Sequence, residues 1–114
     1  MVDKLINILS ELGYSVIQQG SLGENDDYED SFFTFWQTDS ESDMYYDNAE
    51  NVMIYSYDVN FYSTDVIKTY DVLSAAISKL KEHGFIITGD GYDVDSDTDT
   101  HTARGVEVTY IKNL

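Results

Sequence analysis

The chain has 114 residues, of which 42% are hydrophobic and none is cysteine. This is enough apolar material for one core, so residues 1–114 are predicted to form a single domain. The missing cysteines exclude disulfides, thiolate metal sites and cysteine nucleophiles, and they fit a protein made in a reducing cytoplasm. Twenty-two acidic residues oppose six basic ones, for a formal net charge of −16. Such a charge repels phosphate backbones and anionic membranes, so direct binding to nucleic acid or a membrane is not expected.

The N-terminal residues lack the basic region and long apolar stretch of a signal peptide. No apolar run approaches the roughly 20 residues needed to span a bilayer. The sequence therefore predicts a protein that is not exported.

In chain order, the first half predicts one helix and three strands. Residues 2–12 have apolar residues at helical spacing and end at Gly13, a typical helix stop. Residues 14–19 are predicted to form a short strand. Residues 31–37 form a second one, whose aromatic residues alternate onto both faces, so we expect both faces to be covered. Residues 52–62 form the third strand, whose core-facing side chains are Met53, Tyr55, Tyr57, Val59 and Phe61.

Two polar, acidic segments, residues 20–30 and 38–51, separate these strands and are predicted to be loops. Tyrosine is favoured in interfaces, so the tyrosines within these loops (Tyr28, Tyr45 and Tyr46) are predicted to contact a partner. The aromatic residues on the strands (Phe33, Phe35, Tyr57 and Phe61) are predicted to fill the core instead.

The second half begins with potential helix caps at residues 63–65, followed by a helix to about His83 that Gly84 terminates. Its predicted buried stripe contains Val66, Ile67, Tyr70, Leu73, Ala76, Ile77 and Leu80. Residues 85–88 are predicted to begin a strand, and its extension to Val94 stays open.

Residues 95–102 form a predicted loop and residues 103–111 the last strand. The order α-β-β-β-α-β-β predicts an α+β fold, with a mostly antiparallel sheet and two helices packed on one face.

The aspartates Asp93, Asp95 and Asp97 alternate as at the start of an EF-hand loop. The glycine and the bidentate glutamate of that motif are missing, so the pattern favours a solvated acidic loop, with a metal site as the alternative. His101 with Asp97 and Asp99 is another alternative, whereas His83 is explained as a cation at a helix C-terminus. No nucleophile, phosphate-loop or zinc-protease motif is present, and the sequence indicates neither an enzyme nor a cofactor.

Arg104 is the single arginine of the chain and lies beside the aspartate-rich loop. It is predicted either to neutralise those aspartates or to anchor a contact between subunits.

Residues 57–63 are predicted to form a strand that runs directly into the capped helix. That helix ends at residues 83–85, and residues 104–110 close the sheet. This pattern resembles the tail terminator, or tail-completion, proteins of long-tailed phages, over nearly the whole chain. The length and acidity of segments 20–30 and 38–51 depart from it.

The resemblance implies a virion structural protein that assembles in the host cytoplasm. Its partners would be copies of itself in a hexameric ring, the tail tube that the ring caps, and the head-connector proteins that it joins. It implies no catalytic residues. An acidic lumen in such a ring would repel passing DNA and keep it from sticking.

Two other classes fit the composition. One is an acidic DNA mimic of the anti-restriction or anti-CRISPR type, which occupies a basic groove of its partner. The other is a cytoplasmic adaptor or immunity-type protein whose acidic patch neutralises a basic partner. Oligomeric state and the placement of charge distinguish them from a ring-forming protein.

Overall fold

The computed structural model describes residues 2–18, 30–39, 52–87, 89–94 and 100–113. They form α1 (Val2–Ser10), β1 (Ser15–Gln18), β2 (Ser31–Asp39), β3 (Val52–Ser63), α2 (Val66–Glu82), β4 (Tyr92–Val94) and β5 (Thr102–Asn113). The predicted element order and α+β class are confirmed. The predicted tyrosine contacts at Tyr28, Tyr45 and Tyr46 lie outside the described residues.

The five strands form one sheet in the order β1-β2-β3-β5-β4. β1 runs parallel to β2, and the other neighbours are antiparallel. β3 and β5 pair over their full twelve residues, from Val52↔Asn113 to Ser63↔Thr102. Their alternating β-branched and aromatic residues suit a pleated surface that is buried on one side.

α2 begins and ends as its sequence predicts. The Asp65 carboxylate accepts a hydrogen bond from the Ile67 N–H at 2.9 Å, which caps the helix N-terminus. At the other end, the N–H groups of Gly84 and Phe85 donate to the carbonyls of Lys81 and Leu80. This is a Schellman motif, and it requires the positive φ of +93° that Gly84 adopts. Neither α1 nor α2, the helices of the described residues, is long and apolar enough to cross a membrane.

Both helices pack on the same face of the sheet, as predicted. The core between them joins apolar residues of α1 and α2 to the inward side chains of β2, β3 and β5. The four aromatic residues assigned to the core are all buried: Phe33, Phe35, Tyr57 and Phe61. The ring of Tyr14 packs edge-on against Phe61, with 5.1 Å between ring centroids.

The predicted buried stripe of α2 is wrong in its first turns. Val66, Ile67 and Tyr70 are 53%, 65% and 50% exposed. The buried side instead consists of Thr69, Leu73, Ala76, Ile77 and Leu80. The helical spacing of the apolar residues predicted one continuous buried side. In the structure, the first buried side chain of α2 is Thr69, so the apolar residues before it are exposed.

The strand predicted to begin at residues 85–88 begins later, within the extension to Val94 that the sequence left open: it is β4, from Tyr92 to Val94. The described part of residues 85–88 makes one isolated bridge, Ile86↔Thr109. Phe85 and Ile87 are buried in the core while Ile86 is 51% exposed. That alternation gives the segment a strand-like sequence without a full ladder.

Candidate functional site

The face of the sheet opposite the helices, called here the outer face, carries the side chains that alternate with the core residues. On β2 these are Phe32, Thr34 and Trp36, and on β5 they include Ala103, Gly105 and Glu107. Neither α1 nor α2 packs against this face. Its two ends differ, because one is closed by the protein's own side chains and the other is open.

At the closed end, the ring of Phe32 stacks on that of Tyr62, with centroids 5.2 Å apart and an interplanar angle of 7°. The His101 ring lies 5.9 Å from Phe32. Phe32 is only 2% exposed. Next to this pair, the Asn60 side chain occupies the space that a side chain on Gly105 would need.

At the open end, Trp36 is 49% exposed and Tyr92 is 47% exposed. The prediction that aromatic residues on both faces of β2 are covered is therefore confirmed for Phe32 and wrong for Trp36. The reason is the cross-strand partner. Phe32 stacks on another aromatic ring, whereas Trp36 is paired with Asp58, whose carboxylate accepts a hydrogen bond from the indole N–H.

Asp58 lies between the two exposed aromatic residues and holds both. The indole Nε1–H of Trp36 donates to Asp58 Oδ2 at 2.8 Å. The Tyr92 hydroxyl donates to Asp58 Oδ1 at 3.3 Å. Because β5 lies between β4 and β3, the Tyr92 side chain must cross β5 to reach Asp58. One carboxylate thus orients an aromatic side chain from each flank.

Glu107 completes this group. It is directly opposite Asp58 on the neighbouring antiparallel strand, so two carboxylates face outward side by side. Burial raises the pKa of Tyr92 above its ordinary value, and so do the negative charge of Asp58, the hydrogen bond to it and the charge of Glu107. Both carboxylates therefore contribute to the raised pKa of the Tyr92 hydroxyl. We call Trp36, Asp58, Tyr92 and Glu107 the Trp36 cluster.

The basic residues all lie on the other side of the sheet. The chain has six Lys and Arg residues, and all six fall among the described residues. Four belong to the helices: Lys4, Lys68, Lys79 and Lys81. The strand alternation places the other two, Arg104 and Lys112 of β5, on the side of the sheet that faces the helices. The outer face consequently carries acidic and aromatic side chains without a Lys or Arg.

Arg104, one of the predicted contact residues, is occupied within the chain. Its Nη1 donates to Asp93 Oδ1 at 2.8 Å, and its guanidinium lies 4.2 Å from the centre of the Tyr70 ring. The Arg104 side chain is 14% exposed. This geometry gives Arg104 the predicted role of a counter-charge for Asp93, while an intersubunit role stays a prediction.

The predicted metal alternative is represented by Asp93 alone, because Asp95, Asp97 and Asp99 lie outside the described residues. Across the ranges that the structure describes, no three His, Asp or Glu side chains are grouped so as to hold a metal ion. His83 is the C-cap residue of α2, so it lies at the helix C-terminus where it was predicted, while its role there as a cation stays a prediction.

Sequence reasoning did not identify the Trp36 cluster. The alternation of residues 52–62 puts Asp58 on the polar side of its strand, and that of residues 103–111 does the same for Glu107. The missing information was the register, which places both acidic residues beside Trp36 and Tyr92. The alternation of each strand shows which face its residues occupy, but only the pairing of the strands shows which residues are neighbours.

A scan against protein-family models and a search of curated proteins found no match to this chain.

Proposed function

We propose that this chain is a structural assembly protein of a phage tail: a terminator subunit that forms a ring, caps the tail tube and joins it to the head. Its element order, α-β-β-β-α-β-β, is the order on which the family resemblance depends. As such a subunit it would be part of the virion, assembled in the host cytoplasm, and it would perform no catalysis.

The observation that carries the proposal is the segregation of charge. All six basic side chains lie on the helices or on the helix-facing side of β5, and the net charge is −16. A ring that directs a surface free of Lys and Arg toward its lumen would repel the DNA backbone, and DNA would pass without being retained.

Light scattering at several protein concentrations and salt levels tests this proposal. Subunits of like charge repel one another, and salt screens that repulsion, so we expect rings to assemble more readily as salt rises. The expected result is a discrete mass that is a multiple of the 13.0-kDa chain, with rings visible by negative-stain electron microscopy.

A single 13.0-kDa species under every condition, combined with tight and salt-sensitive binding to a restriction nuclease, would contradict the ring and favour the DNA mimic. The outer face does not favour the DNA mimic. A mimic needs carboxylates spaced like phosphates, whereas Asp58 and Glu107 lie side by side with Trp36 and Tyr92 beside them.

A further inference from the structure

The Trp36 cluster retains two features that destabilise an isolated chain. Asp58 and Glu107 are like charges directly opposite each other on neighbouring strands, an arrangement that disfavours the sheet. Neither forms an ion pair with a described residue. Beside them, two large aromatic side chains are left about half exposed. A positive charge seated against this cluster would relieve the repulsion and cover the rings.

On the helix side of the same sheet, a comparable group of an aromatic ring and a carboxylate includes a cation. There, the Arg104 guanidinium lies over the ring of Tyr70 and pairs with the carboxylate of Asp93. The Trp36 cluster has the same kinds of group, aromatic rings and carboxylates, but no guanidinium from its own chain. Since the outer face has no Lys or Arg, the missing cation must come from another molecule.

We propose that the Trp36 cluster is a binding site for an arginine or lysine side chain of a basic protein partner. The cation lies against the rings of Trp36 and Tyr92, whose π-electron faces attract positive charge. Its N–H groups donate to the carboxylates of Asp58 and Glu107. Arginine fits best, because its planar fork of donors both stacks on aromatic rings and bridges two carboxylate oxygens.

The acceptors needed for this contact are available. A carboxylate offers about four lone-pair positions, and Trp36 and Tyr92 each use one of those on Asp58. The oxygens of Asp58 can therefore accept further N–H groups, and those of the exposed Glu107 can as well. Because their hydrogen bonds to Asp58 already orient both rings, little side-chain freedom is lost on binding.

The charge distribution favours a basic partner over a second copy of the chain. Two copies meeting symmetrically through this face would bring two acidic surfaces together, and neither surface carries a Lys or Arg. A basic partner is instead attracted by the net charge of −16. The site does not depend on the ring proposed above, because any basic partner would fit it.

A peptide titration tests the site. The probe is an acetylated and amidated tetra-arginine peptide, and the same peptide made of citrulline, which lacks the positive charge, is the control. Trp36 is the single tryptophan of the chain, so tryptophan fluorescence and the indole N–H resonance report on the site directly. Affinities come from calorimetry at two salt concentrations.

The expected result is a shift of the Trp36 indole resonance with arginine and none with citrulline. Asp58→Asn and Glu107→Gln should each weaken binding about tenfold, the change that one charge-assisted hydrogen bond supplies. The matched control is Asp71→Asn. It removes the same charge from an exposed position of α2 on the opposite side and should change affinity less than about twofold.

Equal weakening by Asp71→Asn would show that the peptide responds only to overall charge, and would overturn the proposal. So would an unmoved indole resonance. Self-association that Trp36→Ala abolishes would assign the face to a second copy instead. The peptide affinities and the indole resonance do not depend on the particle mass, so loss of this site and loss of the ring are distinguishable.

Discussion

Both faces of the sheet carry aromatic residues, but those residues differ in what they contact and in how far they are buried. On the helix face, aromatic side chains such as Phe33 and Phe61 meet one another at 4.7 Å between centroids and are fully buried. On the outer face, Trp36 meets a carboxylate and stays half exposed. An aromatic ring paired with another ring is buried here and supports the fold, whereas one paired with an acid is left half exposed.

The largest effect is expected from Phe61→Ala, which removes a fully buried ring that contacts Phe33 and Tyr14. Losing a core phenylalanine costs about 3–5 kcal/mol of unfolding free energy. The matched variant Trp36→Ala, on the outer face, should cost about 1 kcal/mol. Urea unfolding of both proteins measures the difference, and equal losses would contradict the division of the two faces.

Gly91→Ala should have the next largest effect. Gly91 has φ of +102°, and an added Cβ would lie 2.8 Å from a side-chain carbon of Leu73 on α2. Backbone strain and the collision together should cost about 2–3 kcal/mol.

The control for Gly91→Ala is Gly89→Ala. Gly89 also has a positive φ, +86°, but an added Cβ would have no neighbour within 4 Å. This variant should lose only the backbone part, about 1 kcal/mol. Thermal unfolding of both proteins checks the comparison, and equal losses would mean that β4 does not pack closely under α2.

Tyr57→Phe should stabilise the protein by about 1 kcal/mol, because the Tyr57 hydroxyl is buried without a hydrogen-bond partner among the described residues. Tyr55→Phe, at a partly buried position on the same strand face, should be close to neutral.

The same residue predicts a pH dependence. Burial raises the pKa of Tyr57 above its ordinary value of 10.0, and the neighbouring Tyr55 adds to this. The stability that Tyr57 contributes as a neutral phenol is present below pH 10 and is lost as the pH rises through the folded-state pKa. Unfolding free energy should fall more slowly above pH 10 in Tyr57→Phe than in the wild type. An identical slope would contradict this assignment.

The smallest effect is expected from Glu107→Gln, which removes the charge opposite Asp58. We expect a stabilisation of about 0.2–1 kcal/mol at low salt, decreasing as salt rises. Asp71→Asn, on the helix side, removes a charge without a directly opposed partner strand and should stabilise less. Urea unfolding at two salt concentrations separates the two variants.

Much of the fold could be predicted because its determinants are local. Asp65 and Gly84 mark the ends of α2 by chemistry that acts within one helical turn. The alternation along β3 identifies its core face because strand geometry has a period of two. The errors fall where tertiary context decides: the first turns of α2, whose apolar residues are left exposed, and the segment from Phe85 to Ile87, whose alternating burial is typical of a strand.

The candidate site could not be predicted for the same reason. Trp36, Asp58, Tyr92 and Glu107 come from four strands, and nothing local on any one strand specifies its neighbour. The charge segregation was equally hidden, although the six basic residues are visible in the sequence. Their common side appears only when the strand alternation and the position of both helices are known.

Glu107→Gln gives the most direct test of the central claim, that the outer face is kept for a partner. One preparation of this variant should be measured for urea unfolding and for tetra-arginine binding, beside the wild type. The account predicts a more stable protein that binds the peptide about tenfold more weakly. A variant that binds the peptide as the wild type does, or that loses stability, would contradict it.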